Sequence, residues 1–389
     1  MSRYRISLLC LAACLPALCA QPGGGASAAG ERRILIGLVP RADSVVLIAR
    51  GRFSTSDDSG RKIELPQGRR LLLEPADDNK RLVLGRAVLP PLAKLVPEEL
   101  GATIEIAGKR YDGSFLLRLN TGGRSVTVID RLRMEDYLLG VLPYEMDPAW
   151  PMEALKAQAV VARTFAYTQL GKYRLQGFDL TADTRSQVFG GVELENWKVR
   201  KAVESTRGEV LGYKGKILDV YYHACCGGHT ENAARVWGGT APPPLWGVRD
   251  PYCRRSPLYR WTAFFSTAKL ISALLENRLT GGRLKRFEIG QEDRAGYAIT
   301  FLARVGMERI RMNASRLRRA LGGIRLPSLN IQRLRKVRGG VEFIGRGAGH
   351  GVGLCQWGAR VQAEKGRSYE RILSFYFPGS VLSIVDDGA

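Results

Sequence analysis

Residues 151–163 read Pro-Met-Glu-Ala-Leu-Lys-Ala-Gln-Ala-Val-Val-Ala-Arg and predict a buried helix. Pro151 is suited to the first helical position. One face of this helix carries apolar residues at positions i, i+4, i+7 and i+11, namely Leu155, Ala159, Ala162 and Ala166. Three of the four are alanines, so another backbone can approach this face closely. Gly171 is a suitable stop.

The sequence before this helix has a different character. Short apolar runs alternate there with clusters of Gly, Asp, Ser and Pro, a pattern that indicates β-structure. The runs are Ile34–Val39, Ser44–Ile48, Arg70–Leu73, Ala102–Ile106, Ser114–Leu119 and Val126–Ile129. A short helix is predicted at 135–142, and a hairpin that turns at Lys214-Gly215 is predicted further on.

These patterns predict an α+β protein with a β-rich N-terminal domain. A mixed α/β catalytic core follows, interrupted by a small inserted α+β subdomain. The predicted segments are a signal peptide at 1–20, a linker at 21–32, the β-rich domain at 33–130, the first part of the core at 131–253, the insert at 254–340 and the rest of the core at 341–389.

The first residues have the order of a secretory signal. A basic start at 1–5 is followed by an apolar run at 6–18 and a small-residue exit. Two processing routes are open. Leu-Ala-Ala-Cys at 11–14 resembles a lipobox that would leave Cys14 as a lipid anchor, and Leu-Cys-Ala at 18–20 suits ordinary cleavage. Both predict an exported protein that is periplasmic, membrane-anchored or wall-associated.

The formal net charge is +22, and it falls to +20 if Arg3 and Arg5 leave with the signal. A strongly basic surface favours polyanionic partners. The sequence has no nucleic-acid-binding motif, and export also argues against nucleic acid. The remaining candidates are lipid headgroups, wall polymers and peptidoglycan carboxylates. An arginine-rich but otherwise ordinary solvated surface would give the same charge.

Four cysteines remain after the signal, and they share their region with histidines. In Tyr-His-Ala-Cys-Cys-Gly-Gly-His-Thr-Glu at 222–231, His223 and Cys226 are three apart, and Cys253 follows shortly. These residue types suit tetrahedral zinc. The fourth ligand would be His229, Cys225 or Asp250. A Cys226–Cys253 disulfide is the alternative, because an oxidising compartment favours it.

In the segment 345–353, Gly-Arg-Gly-Ala-Gly-His-Gly-Val-Gly, glycine occupies every second position. An extended chain of this kind would have one face without side chains, against which a sugar ring could lie. Arg346 and His350 would project from the other face. A tight packing contact inside the protein is the alternative. No Gly-Lys-Ser/Thr follows, so this is not a phosphate loop.

A candidate acid, Glu145, lies in Leu-Pro-Tyr-Glu-Met-Asp-Pro-Ala-Trp-Pro at 142–151. The sequence predicts a turn here, just ahead of the buried helix. Apolar neighbours raise the pKa of a carboxyl group, as a general acid requires. The positive end of a following helix would lower it.

Together these segments resemble the stage II sporulation protein D (SpoIID/LytB) family. The resemblance runs from about residue 33 onward and rests on ordered blocks. The blocks are 133–146, 150–164, 183–191 with Ser-Gln-Val-Phe-Gly, 227–232 with Val236-Trp237, and 345–359 ending Gln-Trp-Gly-Ala. Cys355 stands where the family usually has Ser, and Ala348 where an aromatic residue is frequent.

The resemblance implies a lytic transglycosylase that acts on glycan strands whose stem peptides have been removed. The family's Gly-Val-x-Pro-x-Glu-Met pattern assigns Glu145 as the catalytic residue. The predicted substrate contacts are Gln187, Arg346, Gly349, His350 and Gln356, with the glycine segment opposite Glu145. No cofactor is expected for catalysis, but some members hold zinc at a His/Cys cluster, which corresponds to the His223 region.

Two rival functions follow from the same residues. Some relatives are described as amidase enhancers, which would make this a non-catalytic glycan-binding partner of a wall amidase. The His/Cys cluster would instead suit a zinc-dependent wall hydrolase. A single-carboxyl transglycosylase differs from both, because a hydrolytic glycosidase needs two carboxylates.

Overall fold

The computed structural model describes residues 33–192, 196–275 and 282–385. The predicted signal peptide and linker lie outside these described residues. Helices and strands both occur, in several separate sheets, so the predicted α+β class is confirmed. Within the described ranges no helix combines the length and the apolar character needed to cross a membrane.

The strands are numbered in chain order. The first twelve are β1 (Arg33–Ala42), β2 (Val45–Arg50), β3 (Phe53–Ser56), β4 (Lys62–Glu64), β5 (Arg70–Pro75), β6 (Leu82–Leu84), β7 (Ala87–Leu89), β8 (Leu92–Pro97), β9 (Thr103–Ile106), β10 (Lys109–Asp112), β11 (Ser114–Leu119) and β12 (Val126–Arg133). The others are β13 (Leu180–Thr181), β14 (Glu209–Tyr213), β15 (Lys216–Ile217), β16 (Tyr222–His223), β17 (Arg260–Ser266), β18 (Leu284–Glu292), β19 (Ala298–Val305), β20 (Glu308–Asn313), β21 (Asn330–Val337), β22 (Gly340–Arg346), β23 (Leu354–Cys355) and β24 (Val381–Ile384).

The helices follow the same numbering. They are α1 (Met134–Glu145), α2 (Met152–Thr168), α3 (Trp197–Ser205), α4 (Ala233–Trp237), α5 (Thr267–Leu275), α6 (Ala314–Leu321), α7 (Gln356–Glu364) and α8 (Tyr369–Tyr376). Short 3-10 helices occur at Arg174–Gln176, Pro243–Leu245 and Tyr252–Arg255.

The described chain divides into two compact units, each assembled from separate segments. The first unit contains residues 33–149, 162–210 and 383–385, apart from the undescribed 193–195. The second unit contains residues 150–161 and 211–382, apart from the undescribed 276–281. Helix α2 runs from the second unit into the first, because the division falls between Val161 and Ala162. The predicted domain boundaries stay predictions.

The first unit is built mainly on two sheets. One has seven strands in the order β13-β1-β12-β11-β8-β3-β4, and the other has six in the order β10-β9-β2-β5-β6-β7. Strand β11 shows how the sequence pattern produces them. Phe115 and Leu117 are fully buried, at 0% exposure, while Leu116 between them is partly exposed. Such alternation places one face of a strand against a core.

In the second unit, the segment predicted as an insert carries two three-stranded sheets, β17-β22-β21 and β18-β19-β20, with α5 and α6. These elements share a hydrophobic cluster that includes Phe301, Leu317 and Phe343. Phe287 stacks on Phe301 with ring centroids 5.3 Å apart. The cluster extends past residue 340 to Val341 and Phe343, because β22 pairs with both β17 and β21.

Strand β12 buries an acid, Asp130, whose side chain has no exposed surface. Burial, with the nearby Asp112, raises the pKa of Asp130 well above its ordinary value. The folded state therefore holds a proton that the unfolded chain releases above about pH 4. By linkage, the free energy of unfolding falls as the pH rises from about 4 towards the pKa of the folded state.

We expect Asp130→Asn to remove this pH dependence, because a carboxamide mimics the protonated acid in shape and charge. At pH 7 the variant should be more stable than the original protein, because its buried side chain no longer has to take up a proton on folding. At pH 4 the two proteins should be similar. Urea denaturation at both pH values measures this, with the exposed Asp77→Asn as the matched control. Parallel curves for Asp130→Asn and the original protein would contradict the prediction.

Candidate functional site

Glu145 is the last residue of helix α1. The sequence prediction that it lies in a turn was wrong, because α1 continues through Pro143 to Glu145. The Met146 N–H, at the helix end, donates to Leu142 O at 2.9 Å. Glu145 therefore lies at the negative end of a helix dipole, which disfavours further negative charge. This is the opposite of the effect expected from a following helix.

A loop of residues 182–192, here called the Gln187 loop, is bonded to the last two turns of α1. The Val188 N–H donates to Glu145 Oε1 at 3.2 Å. The Tyr144 hydroxyl donates to Gly190 O at 3.1 Å, and the Gly190 N–H donates to Gly140 O at 3.0 Å. These three bonds hold the glutamate's side chain against a fixed backbone.

Phe189 anchors the same loop from inside. Its side chain is 1% exposed, and its ring centroid lies 5.3 Å from that of Tyr137 and 5.7 Å from that of Tyr111. A Cβ on Gly140 would overlap the Phe189 ring, so this helix position must remain small. Gly140 is the glycine of the Gly-Val-x-Pro-x-Glu-Met pattern, and the close approach of Phe189 explains why glycine stands there.

Gln187 is buried, with 1% exposure. Its Oε1 accepts a hydrogen bond of 3.2 Å from the Tyr137 hydroxyl. Burial, and secondarily Glu145, raises the pKa of Tyr137 well above its usual value, so Tyr137 remains a donor. In this state Gln187 therefore bonds inside the protein, and a direct sugar contact by Gln187 stays a prediction.

The glycine segment, residues 345–353, lies in the second unit. It leaves the extended conformation after Arg346, where β22 ends. Four of its glycines have positive φ: Gly347 at 75°, Gly349 at 109°, Gly351 at 84° and Gly353 at 74°. The prediction of an extended chain with one bare face was therefore wrong. Glycine is needed here because other residues rarely adopt this backbone.

Protein atoms also occupy the space where each Cβ would lie. The neighbours are Trp261 at Gly345, the Cys225–Cys226 backbone at Gly347, His223 at Gly349, Tyr297 at Gly351 and the Tyr221 carbonyl at Gly353. Internal packing thus accounts for the alternating glycines without a bound sugar. The alternation no longer supports a sugar-binding face.

We accordingly expect Gly349→Ala to act mainly on stability. The substitution has an unfavourable φ, and its Cβ would lie 2.7 Å from the Cβ of His223. Gly339→Ala is the matched control, since its φ is 82° but no atom lies within 4 Å of its Cβ position. Strain of this kind costs about 1–3 kcal/mol. Urea denaturation should show a larger loss for Gly349→Ala than for Gly339→Ala. Equal losses would mean that packing at Gly349 is unimportant.

The other predicted substrate contacts of this unit have protein partners. The guanidinium of Arg346 lies 5.7 Å from the ring centroid of Tyr259. Gln356 is 5% exposed, and its Nε2 donates to Gln158 Oε1 at 3.4 Å. The role of Arg346 and Gln356 in substrate binding stays a prediction.

His350 has aromatic and imidazole neighbours. Its ring centroid lies 5.2 Å from that of Trp237 and 5.6 Å from that of His223, and its Nδ1 accepts from the Val352 N–H at 3.1 Å. Burial lowers the pKa of His223 to about 4, so its imidazole is neutral at pH 7. The Nδ1 of His223 bonds to Val352 O at 3.0 Å, and its Nε2 has no hydrogen-bond partner among the described residues.

The structure brings together a group of possible metal ligands that differs from the predicted set. Ligand atoms of Cys226, Asp250, Cys253 and Cys355 all lie within 4.8 Å of one another, and all four residues are buried. We call them the Cys/Asp cluster. His223 and His229 are not members, and His229 Nδ1 bonds instead to Thr230 O at 2.6 Å.

All four cysteines of the described chain are free thiols. Burial raises the pKa of the Cys226 and Cys355 thiols well above their usual value. The pKa of Cys253 is lowered, because the thiols of Cys225, Cys226 and Cys355 share hydrogen bonds with it. Cys253 is therefore the member that most readily becomes a thiolate, the form that binds metals.

Comparison with known proteins assigns the family. The SpoIID family model, described as Stage II sporulation protein, matches residues 122–213. An uncharacterised protein of Brachyspira hyodysenteriae is 40% identical over 263 residues, which are 67% of this chain and 69% of that protein. The Stage II sporulation protein D of Bacillus subtilis is 27% identical over 66% of this chain and 76% of its own length. The chain belongs to the SpoIID family.

The Amidase enhancer of Bacillus subtilis is also similar to this SpoIID-family chain. The two are 29% identical over 340 residues, which cover 75% of this chain but only 46% of the enhancer. The family-model match contains both α1 with Glu145 and the Gln187 loop. The glycine segment and the Cys/Asp cluster lie outside that match.

Sequence reasoning missed several residues that shape the Glu145 site of this SpoIID-family protein. Tyr137 and Val188 bond to Gln187 and Glu145 respectively, and Phe189 fixes the loop between them. Tyr137 lies eight positions before Glu145 on α1, a spacing that could have indicated a shared helix face. Nothing in the sequence indicated Val188, because it acts through its backbone N–H.

Proposed function

We propose that this protein is a cell-wall enzyme, a lytic transglycosylase that cleaves MurNAc–GlcNAc glycan strands with Glu145 as its general acid and base. The observation that carries the proposal is the Val188 N–H···Glu145 Oε1 bond of 3.2 Å inside the family match. It fixes one carboxyl group at a partly exposed helix end, and this chemistry needs only one.

In the proposed reaction, protonated Glu145 gives its proton to the glycosidic oxygen as the bond to the anomeric carbon breaks. The resulting carboxylate then removes the proton of the muramyl 6-hydroxyl, whose oxygen attacks the anomeric carbon. The product is a 1,6-anhydro sugar, and no water is consumed. The Val188 N–H stabilises the carboxylate between the two proton transfers.

The charge of the chain suits such a substrate. A glycan strand without stem peptides carries a lactyl carboxylate on each muramic acid, and the chain has a formal charge of +22. Arginine binds carboxylates through paired hydrogen bonds. We therefore propose an exported protein that acts after a wall amidase has removed the peptides. A lipid anchor at Cys14 belongs to the same proposal.

A second candidate function follows from the 29% identity to the Amidase enhancer. On this alternative the protein binds glycan and stimulates a partner amidase without cleaving the strand itself. The zinc-hydrolase alternative has less support. The Cys/Asp cluster is wholly buried and already offers four ligand atoms, whereas catalytic zinc keeps one position open for water.

Mass spectrometry of purified, peptide-free glycan after incubation with the protein in H₂¹⁸O tests the proposal. We expect anhydro ends that carry no ¹⁸O and that are one water lighter than hydrolysis products. Incorporation of ¹⁸O would mean hydrolysis instead. Intact strands, together with faster release of peptides by an added amidase, would establish the enhancer function.

A further inference from the structure

We propose that Cys226, Asp250, Cys253 and Cys355 bind one structural zinc ion that links three separated segments of the second unit. This site is independent of the proposed cleavage chemistry. Three thiol sulfurs and a carboxylate oxygen are ligand types that zinc takes in tetrahedral sites. Their ligand atoms all lie within 4.8 Å of one another in the buried interior.

The spacing of the ligand atoms fits a shared zinc ion better than it fits a disulfide bond. With Zn–S bonds of about 2.3 Å, tetrahedral geometry separates two sulfurs by about 3.8 Å. The Sγ atoms of Cys226 and Cys253 are 3.4 Å apart. A disulfide needs about 2.05 Å. Small movements of side chains would therefore complete a zinc site, whereas a disulfide requires the sulfurs to approach by more than 1 Å.

The groups around the cluster are arranged as outer partners of a metal site. The Tyr376 hydroxyl donates to Asp250 Oδ2 at 2.9 Å, and the Tyr252 N–H donates to Asp250 Oδ1 at 2.8 Å. The Cys226 N–H donates to Cys355 Sγ at 3.3 Å. Partners of this kind orient metal ligands and raise metal affinity.

Chain topology explains what the ion would do. Cys355 is 129 positions from Cys226, and it joins the cluster because β16 and β23 pair in parallel with His223 opposite Cys355. Those strands have only two residues each. Asp250 and Cys253 come from a third segment at the 3-10 helix Tyr252–Arg255. A metal that joins these segments would compensate for the few backbone bonds between them.

Cys225 provides the matched control, because it is an equally buried neighbour that lies outside the four-atom set. The Cys225 N–H donates to Ala348 O at 3.0 Å, and the Ala348 N–H donates to Cys225 O at 2.7 Å. Its thiol is directed to Cys253 O at 3.9 Å. Substitution of Cys225 by Ser should therefore preserve a zinc site that substitution of Cys226 destroys.

The first experiment uses the intact protein, stripped of metal by a chelator under reducing conditions and then given Zn²⁺ or Co²⁺. We expect one bound zinc per chain by elemental analysis, a raised Tm, and thiolate-to-cobalt charge-transfer absorption in the near ultraviolet. Absence of stoichiometric binding in the reduced, folded protein would overturn the proposal. A Cys226–Cys253 disulfide in peptides of the natively produced protein, with no metal present, would overturn it as well.

Variants then test the ligand set. Cys226→Ser and Cys355→Ser should lose the bound zinc, and Cys225→Ser should keep it. Tyr376→Phe removes only the hydroxyl that orients Asp250, so it should fold and bind zinc about 10–100-fold more weakly. Unchanged zinc affinity in both Tyr376→Phe and Cys355→Ser would sink the assignment. Glycan cleavage by the folded variants is measured separately from zinc binding, so the two proposals can fail independently.

Discussion

Glu145→Gln is expected to lower the rate of glycan cleavage by about 10²–10⁴-fold, the usual contribution of a positioned general acid. The amide oxygen of glutamine can still accept the hydrogen bond from the Val188 N–H, which is 3.2 Å from Glu145 Oε1 in the structure. Side-chain position and fold should therefore survive, and only the transferable proton is lost. The rate at which anhydro ends appear, measured on peptide-free strands, gives the effect directly.

Glu204→Gln is the control for this experiment, because Glu204 is an exposed glutamate on α3 of the same unit. The Glu204→Gln variant should cleave glycan at the same rate as the original protein. Thermal melting and glycan pull-down should be unchanged in both variants. A folded Glu145→Gln protein with nearly full activity would remove Glu145 from the mechanism. Retained stimulation of an amidase by this variant would show that stimulation needs no proton transfer from Glu145.

Arg163→Met is expected to lower the free energy of unfolding by about 3–5 kcal/mol, because it leaves a largely buried carboxylate without its cation. The Arg163 side chain has no exposed surface, and its Nε and Nη2 donate to the two oxygens of Glu135 at 2.8 Å and 2.6 Å. It also donates to the carbonyls of Glu209 at 3.1 Å and Val203 at 3.3 Å. Glu135 is in the first turn of α1, so this pair fixes the start of the helix that ends at Glu145.

Arg50→Met is the matched control, since the Arg50–Glu105 pair has a similar distance of 2.8 Å but an arginine side chain that is 49% exposed. Surface pairs contribute about 0–1 kcal/mol. Urea denaturation compares the two variants at pH 7. The double variant Arg163→Met/Glu135→Leu should recover part of the loss, because it leaves no unpaired charge. Similar small losses for Arg163→Met and Arg50→Met would show that the buried pair is not needed.

The sequence predicted the local elements well where a periodic pattern is supported by burial of one face. Ser114–Leu119 was predicted and observed as the strand β11, and the helix predicted from Met152 is α2. The predicted hairpin turn has positive φ at Lys214, 50°, and at Gly215, 75°. Such signals are local, so they do not depend on the rest of the fold.

The end of α1 was mispredicted at Pro143. A proline usually marks the end of a helix, and the predicted helix at 135–142 ends just before this one. In the structure Pro143 lies in the last turn, and the helix continues to Glu145. The bonds from the Gln187 loop to Tyr144 and Glu145 stabilise this last turn. Those bonds join positions more than 40 residues apart, and no local pattern encodes them.

The possible metal ligands show the same limit, since local sequence patterns do not reveal contacts between distant segments. Cys226 and Cys253 were predicted together because their sequence separation is short, and Asp250 was an alternative fourth member. Cys355 was not predicted, because only the β16–β23 pairing brings it to Cys226. The histidines were included for their chemistry and their proximity in sequence. The partner of His223 in the structure, Val352 O, is again distant in the chain.

The interleaved course of the chain has a consequence for biosynthesis. The first unit begins with β1, yet it also uses residues 383–385, and the Val385 N–H donates to Gly208 O at 2.9 Å. A nascent chain emerging from its N-terminus would therefore start this unit first and complete it only after residue 385 has been made. Domains ordinarily fold in order during synthesis. Here the unit that contains Glu145 cannot be completed before residues 383–385 have been made, although most of its strands precede residue 134.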